Sequence, residues 1–394
     1  MNSFRSLVIV QVPPYPPMGG VALRNWQTIN LLKRQGEVAI FSIYKGTDDS
    51  SLALLEKGFQ LNHYDIGSPN RSWQGKLKKR LGFLRPDGYP YSDWLYTATA
   101  GKQLRQFLNE FQPTLIVFEE LWLYPYLQIA KHYPCPIVLD NHNIEGKKED
   151  YRLQSYKLRK IRHIEKKFVQ QADQTWVCST VDAHQLQQLY GVRNTVRVIP
   201  NGVQASFYQP TSPHPRDNHH LLFLGKYSYQ PNEEAALIAI NEIYPALKQS
   251  YPDCQLWLVG RDPTPAMKMA AGDDEDIHIT GMVHDVRPYL QTASVMVVPL
   301  RQGGGTRLKI LEAFASRCPV ISTPKGAEGL QAQDNYHLHL GETPEQIITK
   351  VKHLWQNKSY AQQMVDHAYG LFMKTYSWQA VEQSISLALA RLSK

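Results

Sequence analysis

A glycine-rich segment bordered by basic side chains is the part of this sequence best suited to chemistry. Within residues 299–330, PLRQGGGTRLKILEAFASRCPVISTPKGAEGL, a predicted strand ends and a helix opens near Thr306. Glycines let backbone amides approach a ligand closely, and a helix N-terminus adds oriented N–H groups and partial positive charge. The basic side chains Arg307 and Lys309 follow at once. The pattern predicts a diphosphate site whose loop consists of Gly303, Gly304 and Gly305.

One carboxylate belongs to the same segment. Glu312 lies about one and a half turns into the predicted helix, where it could accept hydrogen bonds from ribose hydroxyls, as acidic residues do in dinucleotide sites. The alternative for the segment is a tight strand-to-helix turn with solvated charges. The Ala-Phe-Ala that follows Glu312, and the apolar Pro-Val-Ile-Ser-Thr run after it, favour nucleotide binding over a simple turn.

Two further polar residues come directly after predicted strands. His142 follows the strand at 136–140, and Lys226 follows Gly225 at the end of the strand at 221–225. Ligands of parallel α/β sheets bind at the carboxyl ends of strands, so both positions favour function. The alternatives are a hydrogen-bonded turn histidine and an exposed lysine.

Apolar strands alternate with helical patterns along the whole chain and must position these residues. This alternation predicts an α/β protein with two doubly wound, mostly parallel sheets. The helix predicted at 21–34 ends at Gly36, and Ser179 is a candidate N-cap with Asp182 as its capping-box partner. The predicted strands are 6–12, 37–44, 114–118, 136–140, 174–178, 196–199, 221–225, 255–260, 277–280, 295–299, 319–323 and 336–340.

The 394 residues suit two domains better than one. We expect a first Rossmann-like domain at 1–207 and a second at 220–376. The proline-rich residues 208–219 between them are typical of a linker. A final helical stretch, about 377–394, could pack back on the first domain.

Composition and charge exclude several classes. Hydrophobic residues make up 43% and charged residues 20% of the chain, as in globular proteins. No stretch approaches the roughly 20 apolar residues that span a bilayer, and the apolar run at the start is too short for a signal peptide, which predicts a cytoplasmic protein. The net charge of +8 favours acidic partners: nucleic acid, anionic membranes or phosphorylated small molecules.

Nothing in the sequence predicts a metal site. The four cysteines are scattered without a C-x-x-C pair, and the acidic run 273–276 precedes a strand and is typical of a solvated loop. The adjacent histidines His219 and His220 lie at the edge of the predicted linker, where a metal site is the less favoured interpretation. We therefore expect no metal and no cofactor.

Two stretches are rich in lysine and arginine. Residues 71–85, RSWQGKLKKRLGFLR, interleave six basic residues with apolar ones and contain no acid, which makes them a candidate for docking on an anionic membrane surface. For residues 147–167 a solvated helical face is the preferred interpretation. Neither stretch matches a nucleic-acid recognition module, so nucleic acid is not an expected partner.

Several motifs in order resemble glycosyltransferase family 4, whose members have the GT-B fold: two Rossmann-like domains that face each other across a cleft. The resemblance covers nearly the whole chain. Its motifs are PPYPPMGG after the first strand, LDNHNIEG at 139–146, QADQTWVCSTVDAHQL at 171–186, VIPNGV at 198–203, LFLGKYSYQPNEEA at 222–235, ITGMVHDVRPYL at 279–290 and the glycine-rich segment, in its G-x-G-T-R-L-K-x-L-E-A form.

The resemblance implies roles for individual residues. Gly19 and Gly20 would face the donor phosphates, Lys226 would stabilise the departing diphosphate, and Glu312 would hold the ribose. On the acceptor side, His142 would face the sugar at the transfer centre, beside Asn143 and Glu145. The implied donor contacts also include Gly281, Met282 and Val283 along the nucleobase, and the loop and helix residues Gly303, Gly304, Gly305, Thr306, Arg307, Leu308 and Lys309.

The sequence departs from the family pattern at two places. The first glutamate of the family's E-x7-E pattern would fall at Gly304, so the usual contact to the donor sugar is missing or replaced. Many relatives carry a second basic residue shortly after the position of Lys226, and here Arg307 or Lys309 could supply that charge. The departures weaken any inference about which sugar is transferred.

The resemblance implies a retaining, metal-independent hexosyltransferase of polysaccharide or cell-surface glycan synthesis. It would use a nucleotide-sugar donor, with uridine or guanosine as base, and a glycan or lipid-linked acceptor, peripherally at the inner face of a membrane. Two alternatives stay open: a nucleotide-sugar epimerase of the same fold, and a catalytically silent partner that binds nucleoside diphosphates or anions.

Overall fold

A computed structural model describes residues 4–11, 14–16, 19–44, 55–65, 88–147, 155–192, 195–209, 216, 218–305 and 307–392. Thr306, the basic stretch 71–85 and most of the predicted linker lie outside the described residues. The chain divides into two compact units. The first comprises Met1–Asn201 with Glu382–Lys394, and the second comprises Gly202–Val381.

The first unit is built on a seven-stranded parallel sheet in the order β3-β2-β1-β4-β5-β6-β7. Its central strands are apolar and fully buried, as in sheets covered by helices on both faces. The strands are β1 (Phe4–Val10), β2 (Gly36–Tyr44), β3 (Gln60–Asp65), β4 (Leu115–Glu119), β5 (Ile137–Asn141), β6 (Gln174–Val177) and β7 (Val196–Val198).

Helices connect these strands. The predicted cap at Ser179 is present: its Oγ accepts a hydrogen bond from the Asp182 backbone N–H at 3.1 Å and donates to the Asp182 carboxylate at 2.7 Å. The α-helices are Gly20–Gln35, Pro90–Leu95, Ala98–Phe111, Leu127–Ala130, Ser155–Gln171 and Thr180–Tyr190, with 3₁₀ turns at Leu121–Tyr126 and Glu145–Lys147.

The second unit has a six-stranded parallel sheet in the order β10-β9-β8-β11-β12-β13. Its strands are β8 (His220–Leu224), β9 (Gln255–Val259), β10 (Ile277–Gly281), β11 (Val295–Val298), β12 (Val320–Ser322) and β13 (His339–Leu340). Its α-helices are Ala205–Tyr208, Gln230–Ile238, Tyr244–Lys248, Pro265–Ala271, Arg287–Thr292, Leu308–Ala315, Pro344–Gln356 and Lys358–Leu371, with π-helical turns at Ala239–Ile243 and Phe372–Tyr376.

The two sheets confirm the predicted α/β class with two doubly wound parallel sheets. The sequence analysis missed β3, because its sequence QLNHYD lacks an apolar run and pairs only at the edge of the sheet. It also began the last strand too early, since residues 335–337 form a turn and Leu338 forms an isolated bridge with Asp334 before β13. Among the described residues, no helix is both long and apolar enough to cross a bilayer.

The chain leaves the first unit before residue 202 and returns to it at the end. Val203 pairs with Ser377 in an isolated bridge, so residues 202–207, placed in the first domain by the sequence analysis, group with the second unit. The helix Trp378–Ala390 carries the chain back, and its residues from Glu382 onward belong to the first unit.

Candidate active site

The glycine-rich loop of the second unit follows β11 and leads into the helix Leu308–Ala315. Gly303 and Gly305 adopt φ angles of 100° and 93°, a region that side-chain-bearing residues rarely enter. A Cβ atom on Gly303 would also lie 2.9 Å from the Tyr229 hydroxyl. Gly304 differs, because its φ is ordinary and nothing lies within 4 Å of a Cβ placed there. The backbone of the loop therefore requires two of its three glycines.

Arg307 is buried at the start of that helix and ties the loop to the turn after β12. Its Nη2 donates to the Lys325 carbonyl at 2.8 Å, and it lies 3.4 Å from both the Gly303 carbonyl and a Glu328 carboxylate oxygen. Through these partners the Arg307 guanidinium stabilises the conformation of the loop.

Lys309 supplies a second cation in the first turn of the helix. Its Nζ donates to Asn232 Oδ1 at 2.9 Å and lies 4.3 Å from the centre of the Phe223 ring. Burial, with a smaller contribution from the Arg307 charge, lowers the pKa of Lys309 to about 7. The ammonium therefore exchanges its proton near neutral pH, and an anionic ligand would favour the charged form.

Lys226 lies at the end of β8, beside the same edge of the sheet. Its ammonium is 3.8 Å from the Asp262 carboxylate, and both side chains are about half exposed, at 50% and 49%. An ion pair that long and that exposed binds the lysine weakly. Lys226 is thus available to a ligand at the carboxyl ends of the strands.

Glu312 is half-buried and accepts a hydrogen bond from the Tyr208 hydroxyl at 2.8 Å. Burial raises the pKa of Glu312, while the hydrogen bond from Tyr208 and the charge of Lys309 act in the opposite direction. The sequence analysis did not foresee this partner, because Tyr208 lies far away in sequence, at the edge of the predicted linker.

The segment predicted to follow the nucleobase comes at the end of β10. Gly281 has a φ of 69°. Met282 is 69% exposed, and Val283 packs against the core of the unit. The carboxyl ends of β8, β10 and β11 lie at the same end of the second sheet, so the predicted donor residues that the structure describes there share that end. Leu308 packs against the apolar core of the unit.

In the first unit, His142 is the residue directly after β5. The imidazole Nε2 is 2.7 Å from the carboxylate of Glu119, which ends the neighbouring strand β4. Burial and the nearby Asp140 raise the pKa of Glu119 well above its usual range, and burial lowers the pKa of His142. The imidazole is therefore held neutral.

Beside this pair, a buried arginine neutralises Asp140. The Arg24 guanidinium contacts both carboxylate oxygens, with its Nη2 2.5 Å from Oδ1, and also donates to the Ile199 carbonyl and the Asn201 side chain. The side-chain oxygen and nitrogen atoms of Glu119, Asp140 and His142 that could coordinate a metal ion lie within 4.8 Å of one another. Arg24 already supplies the positive charge there.

Residues 141–147, called the His142 loop below, are held by one buried carboxylate. Glu165 accepts hydrogen bonds from the backbone N–H groups of Glu145 and Gly146, both at 2.9 Å, from Asn141 at 3.1 Å, and from the Tyr190 hydroxyl at 2.6 Å. Burial raises the pKa of Glu165, and these hydrogen bonds oppose that change.

The His142 loop contains the predicted acceptor residues. Glu145 is buried and begins a 3₁₀ turn, whereas Asn143 is half-buried. Gly19 and Gly20 lie elsewhere in the unit, exposed at the N-terminus of the helix Gly20–Gln35, which has no side-chain cap.

Comparison with known proteins adds the family. A model of glycosyltransferase family 4 matches residues 18–207, and a model of group 1 glycosyl transferases matches residues 218–357. The chain belongs to glycosyltransferase family 4. With its two parallel sheets, this glycosyltransferase has the GT-B fold.

Individual relatives agree with that assignment. A phosphatidyl-myo-inositol mannosyltransferase of Mycolicibacterium smegmatis is 28% identical over 131 residues, which cover 32% of this chain and 33% of the relative. Anabaena HepE, solved with UDP and glucose, superimposes with a TM-score of 0.72 at 16% identity, over 98% of this chain and 99% of its own. Sucrose-phosphate synthase from Thermosynechococcus elongatus gives 0.74 at 15% identity, over 99% of both chains.

Several residues at these sites of the glycosyltransferase were missed by sequence reasoning. Glu119 could have been found, because a carboxylate that ends a buried strand next to the strand before His142 carries the same signal as His142 itself. Arg24 and Glu165 gave no such signal, since each lies within a predicted helix, and for the stretch that contains Glu165 a solvated face is the preferred interpretation.

Proposed function

We propose that this glycosyltransferase transfers a hexose-type sugar from a nucleotide-sugar donor to a glycan or lipid-linked acceptor, with retention of configuration and without a metal ion. Its role would be in polysaccharide or cell-surface glycan synthesis. The observation that carries the proposal is the set of cations and backbone amides at one sheet edge of the second unit, where Lys226 and Lys309 accompany the glycine-rich loop.

The chemistry of this edge suits a departing diphosphate. When the bond between the anomeric carbon and the diphosphate oxygen breaks, negative charge grows on the diphosphate, and preorganised cations and amides stabilise that charge. Lys309 is well suited because its ammonium, poorly stabilised in the free protein, gains a counter-charge when a diphosphate binds. Glu312 would accept hydrogen bonds from the ribose hydroxyls, in exchange for its bond with Tyr208.

Retention is proposed from the state of the carboxylates near His142. In the described part of the first unit, Asp140 is paired with Arg24, Glu119 with His142, and Glu165 with four donors. None of these three is placed as a free nucleophile. We therefore propose a front-face displacement in which the acceptor oxygen bonds to the anomeric carbon from the side of the leaving group, and the departing phosphate takes the acceptor proton.

The experiment is a thermal-shift panel of UDP, GDP, ADP and their sugars on the full chain, with and without EDTA. We expect one nucleotide to stabilise the protein, by about 2.7 kcal/mol at a hundredfold excess over its Kd, and EDTA to change nothing. Lys226→Met should weaken this effect, whereas the matched control Lys268→Met, an exposed lysine of the same unit, should not.

The outcomes separate the rival functions. A nucleotide response followed by transfer with an inverted product would contradict the displacement proposed here, as would capture of a covalent glycosyl-enzyme. Interconversion of the donor sugar without an acceptor would identify an epimerase. Binding without any turnover would indicate a silent partner, and a response to all polyanions with steep salt dependence would indicate an anion-binding protein.

A lipid-linked acceptor would bring the enzyme to the inner face of a membrane, and residues 71–85 are proposed as the docking segment. The proposal rests on their six basic residues and interleaved apolar side chains. Replacing these lysines and arginines with glutamine should lower co-sedimentation with vesicles that contain anionic lipid. Unchanged co-sedimentation would exclude the segment, and nucleotide binding serves as the control for folding.

A further inference from the structure

Glu119 and His142 form a buried pair that leaves two polar atoms, Oε1 of Glu119 and Nδ1 of His142, without a hydrogen-bond partner among the described residues. The imidazole Nε2 lies 2.7 Å from Glu119 Oε2, and the side chains are 4% exposed for His142 and 0% for Glu119. The other ring nitrogen, Nδ1, is buried without a hydrogen-bond partner among the residues that the structure describes. Because buried polar atoms almost always find partners, Nδ1 is suited to meet a ligand.

The number of protons on the pair decides whether Nδ1 carries a hydrogen or a lone pair. A neutral imidazole carries one N–H, and that hydrogen must be on Nε2 when Nε2 faces a carboxylate, since two lone pairs would otherwise oppose each other. Nδ1 then presents a lone pair. If the pair gains one proton, Glu119 becomes a carboxylic acid that donates to Nε2, and the ring hydrogen moves to Nδ1. If the ring takes that proton instead, the imidazolium likewise carries a hydrogen on Nδ1.

We infer that Glu119 is a positioning residue that decides, through one proton held by the pair, whether Nδ1 of His142 accepts or donates a hydrogen bond. With the pair deprotonated, Nδ1 accepts from a hydroxyl group. With the pair protonated, Nδ1 donates to an oxygen lone pair. The inference rests on the proposed function only for the expectation that this ligand is a sugar.

The surroundings of the pair set the direction of the change. Burial and Asp140 raise the pKa of Glu119, and burial lowers the pKa of His142, so as the pH falls the added proton goes to Glu119 while the ring stays neutral. The other charged or titratable groups that face the pair come from the first helix, the ends of β4, β5 and β6, and the His142 loop: Arg24, Glu120, Asp140, Cys178 and Glu145.

The test observes the ring directly in the full-length protein without ligand. Long-range proton–nitrogen NMR spectra of ¹⁵N-histidine-labelled protein distinguish the two tautomers, and loss of one signal set in His142→Gln assigns His142. We expect His142 to carry its hydrogen on Nε2 at alkaline pH and to gain a hydrogen on Nδ1 in a single step on acidification. Glu119→Gln should abolish the step in which the ring stays neutral, because a carboxamide takes up no proton. Any hydrogen that Nδ1 then gains on acidification should come with formation of an imidazolium, which the ¹⁵N shifts distinguish from a change of tautomer.

Glu37→Gln is the matched control, since Glu37 is an exposed glutamate of the same unit, and it should leave the step unchanged. A hydrogen on Nδ1 at every pH, or an unaltered step in Glu119→Gln, would overturn the inference. If Glu119→Gln fails to fold, the wild-type titration decides alone, because absence of the step contradicts the inference by itself.

A second readout follows transfer. The acid limb of the kcat/KM profile should disappear in Glu119→Gln, while affinity for free nucleotide stays unchanged; a limb that persists would count against the inference. The NMR result needs no nucleotide, so failure of nucleotide binding would remove the proposed function and leave the inference standing.

Discussion

Lys309 holds its amine in surroundings that favour the neutral form. Burial and the neighbouring Arg307 both disfavour the ammonium, and only Asn232 accepts a hydrogen bond from it among the contacts described above. An ammonium that is disfavoured in the free protein is stabilised strongly when an anion binds beside it. The same substitution should therefore affect stability and binding in opposite directions.

We predict that Lys309→Met stabilises the free protein at neutral pH and weakens donor binding. Because the pKa of Lys309 is lowered to about 7 by folding, the unfolded chain binds more protons above that pH, and wild-type stability should rise between about pH 7 and pH 10. Donor affinity should instead rise as the pH falls through 7. Both slopes should be smaller in Lys309→Met.

Thermal unfolding across pH and calorimetric titration with a nucleotide sugar, whose diphosphate does not titrate in this range, measure the two effects. Lys268→Met controls for the loss of a surface charge. Equal pH dependence of donor affinity in wild type and Lys309→Met would show that Lys309 does not meet the diphosphate.

At the scale of elements, the helix Ser155–Gln171 acts on the His142 loop through two side chains, Glu165 and Arg162, and the Nε of Arg162 donates to the Gly146 carbonyl at 2.9 Å. Glu165 accepts two backbone N–H groups of the loop, and a Cβ on Gly146 would lie 2.8 Å from the Glu165 carboxylate and 2.4 Å from the Tyr190 hydroxyl. The contact is thus close as well as hydrogen-bonded. The helix contributes an acceptor, and the loop contributes a glycine that lets it approach.

We predict that Glu165→Gln loosens this loop and lowers transfer without changing nucleotide affinity. A carboxamide places an N–H₂ group against at least one donor, and a buried unsatisfied donor costs about 1–3 kcal/mol. Hydrogen exchange of the Glu145 and Gly146 amides should quicken. Tyr190→Phe is the control, because it removes a donor outside the loop and should leave both amides protected. Unchanged exchange in Glu165→Gln would contradict the prediction.

Sequence patterns anticipated elements and local motifs better than buried polar contacts. Apolar runs such as LVIV in β1 and LIVF in β4 predict buried strands in an α/β chain. The edge strand QLNHYD is compatible with a strand, a helix or a loop. The glycine-rich loop could be predicted because its parts are adjacent in sequence. The bonds of Arg24 to Asp140 and of Tyr208 to Glu312 join positions more than 100 residues apart. The sequence around each of these residues does not indicate its partner.

At the scale of the molecule, the first unit depends on residues from both ends of the chain. Gln174 donates to the Ala388 carbonyl at 2.8 Å, and Ile385, Ala388 and Leu389 are buried. An exposed ion pair of 2.6 Å between Arg34 and Glu382 adds to these contacts. The terminal helix therefore completes the core of the first unit.

We predict that deleting residues 382–394 destabilises the first unit and spares nucleotide binding, which we assign to the second. Burial of each large apolar side chain contributes about 1.5–3 kcal/mol, so calorimetry should show an earlier transition for the first unit. Arg34→Met, which removes only the exposed ion pair, should cost about 0–1 kcal/mol. A deletion that lowers the nucleotide-stabilised transition instead would contradict this assignment.

The return of the chain to the first unit also orders events during translation. Residues 202–381 emerge from the ribosome before the segment that finishes the first sheet's covering, so the second unit can be fully folded while the first is still incomplete. N-terminal domains usually fold first during synthesis. Here the second unit can be completed before the first, so the surface of the first unit that receives Ile385 and Leu389 stays uncovered, and open to association with other chains, until residues 382–390 have been synthesised.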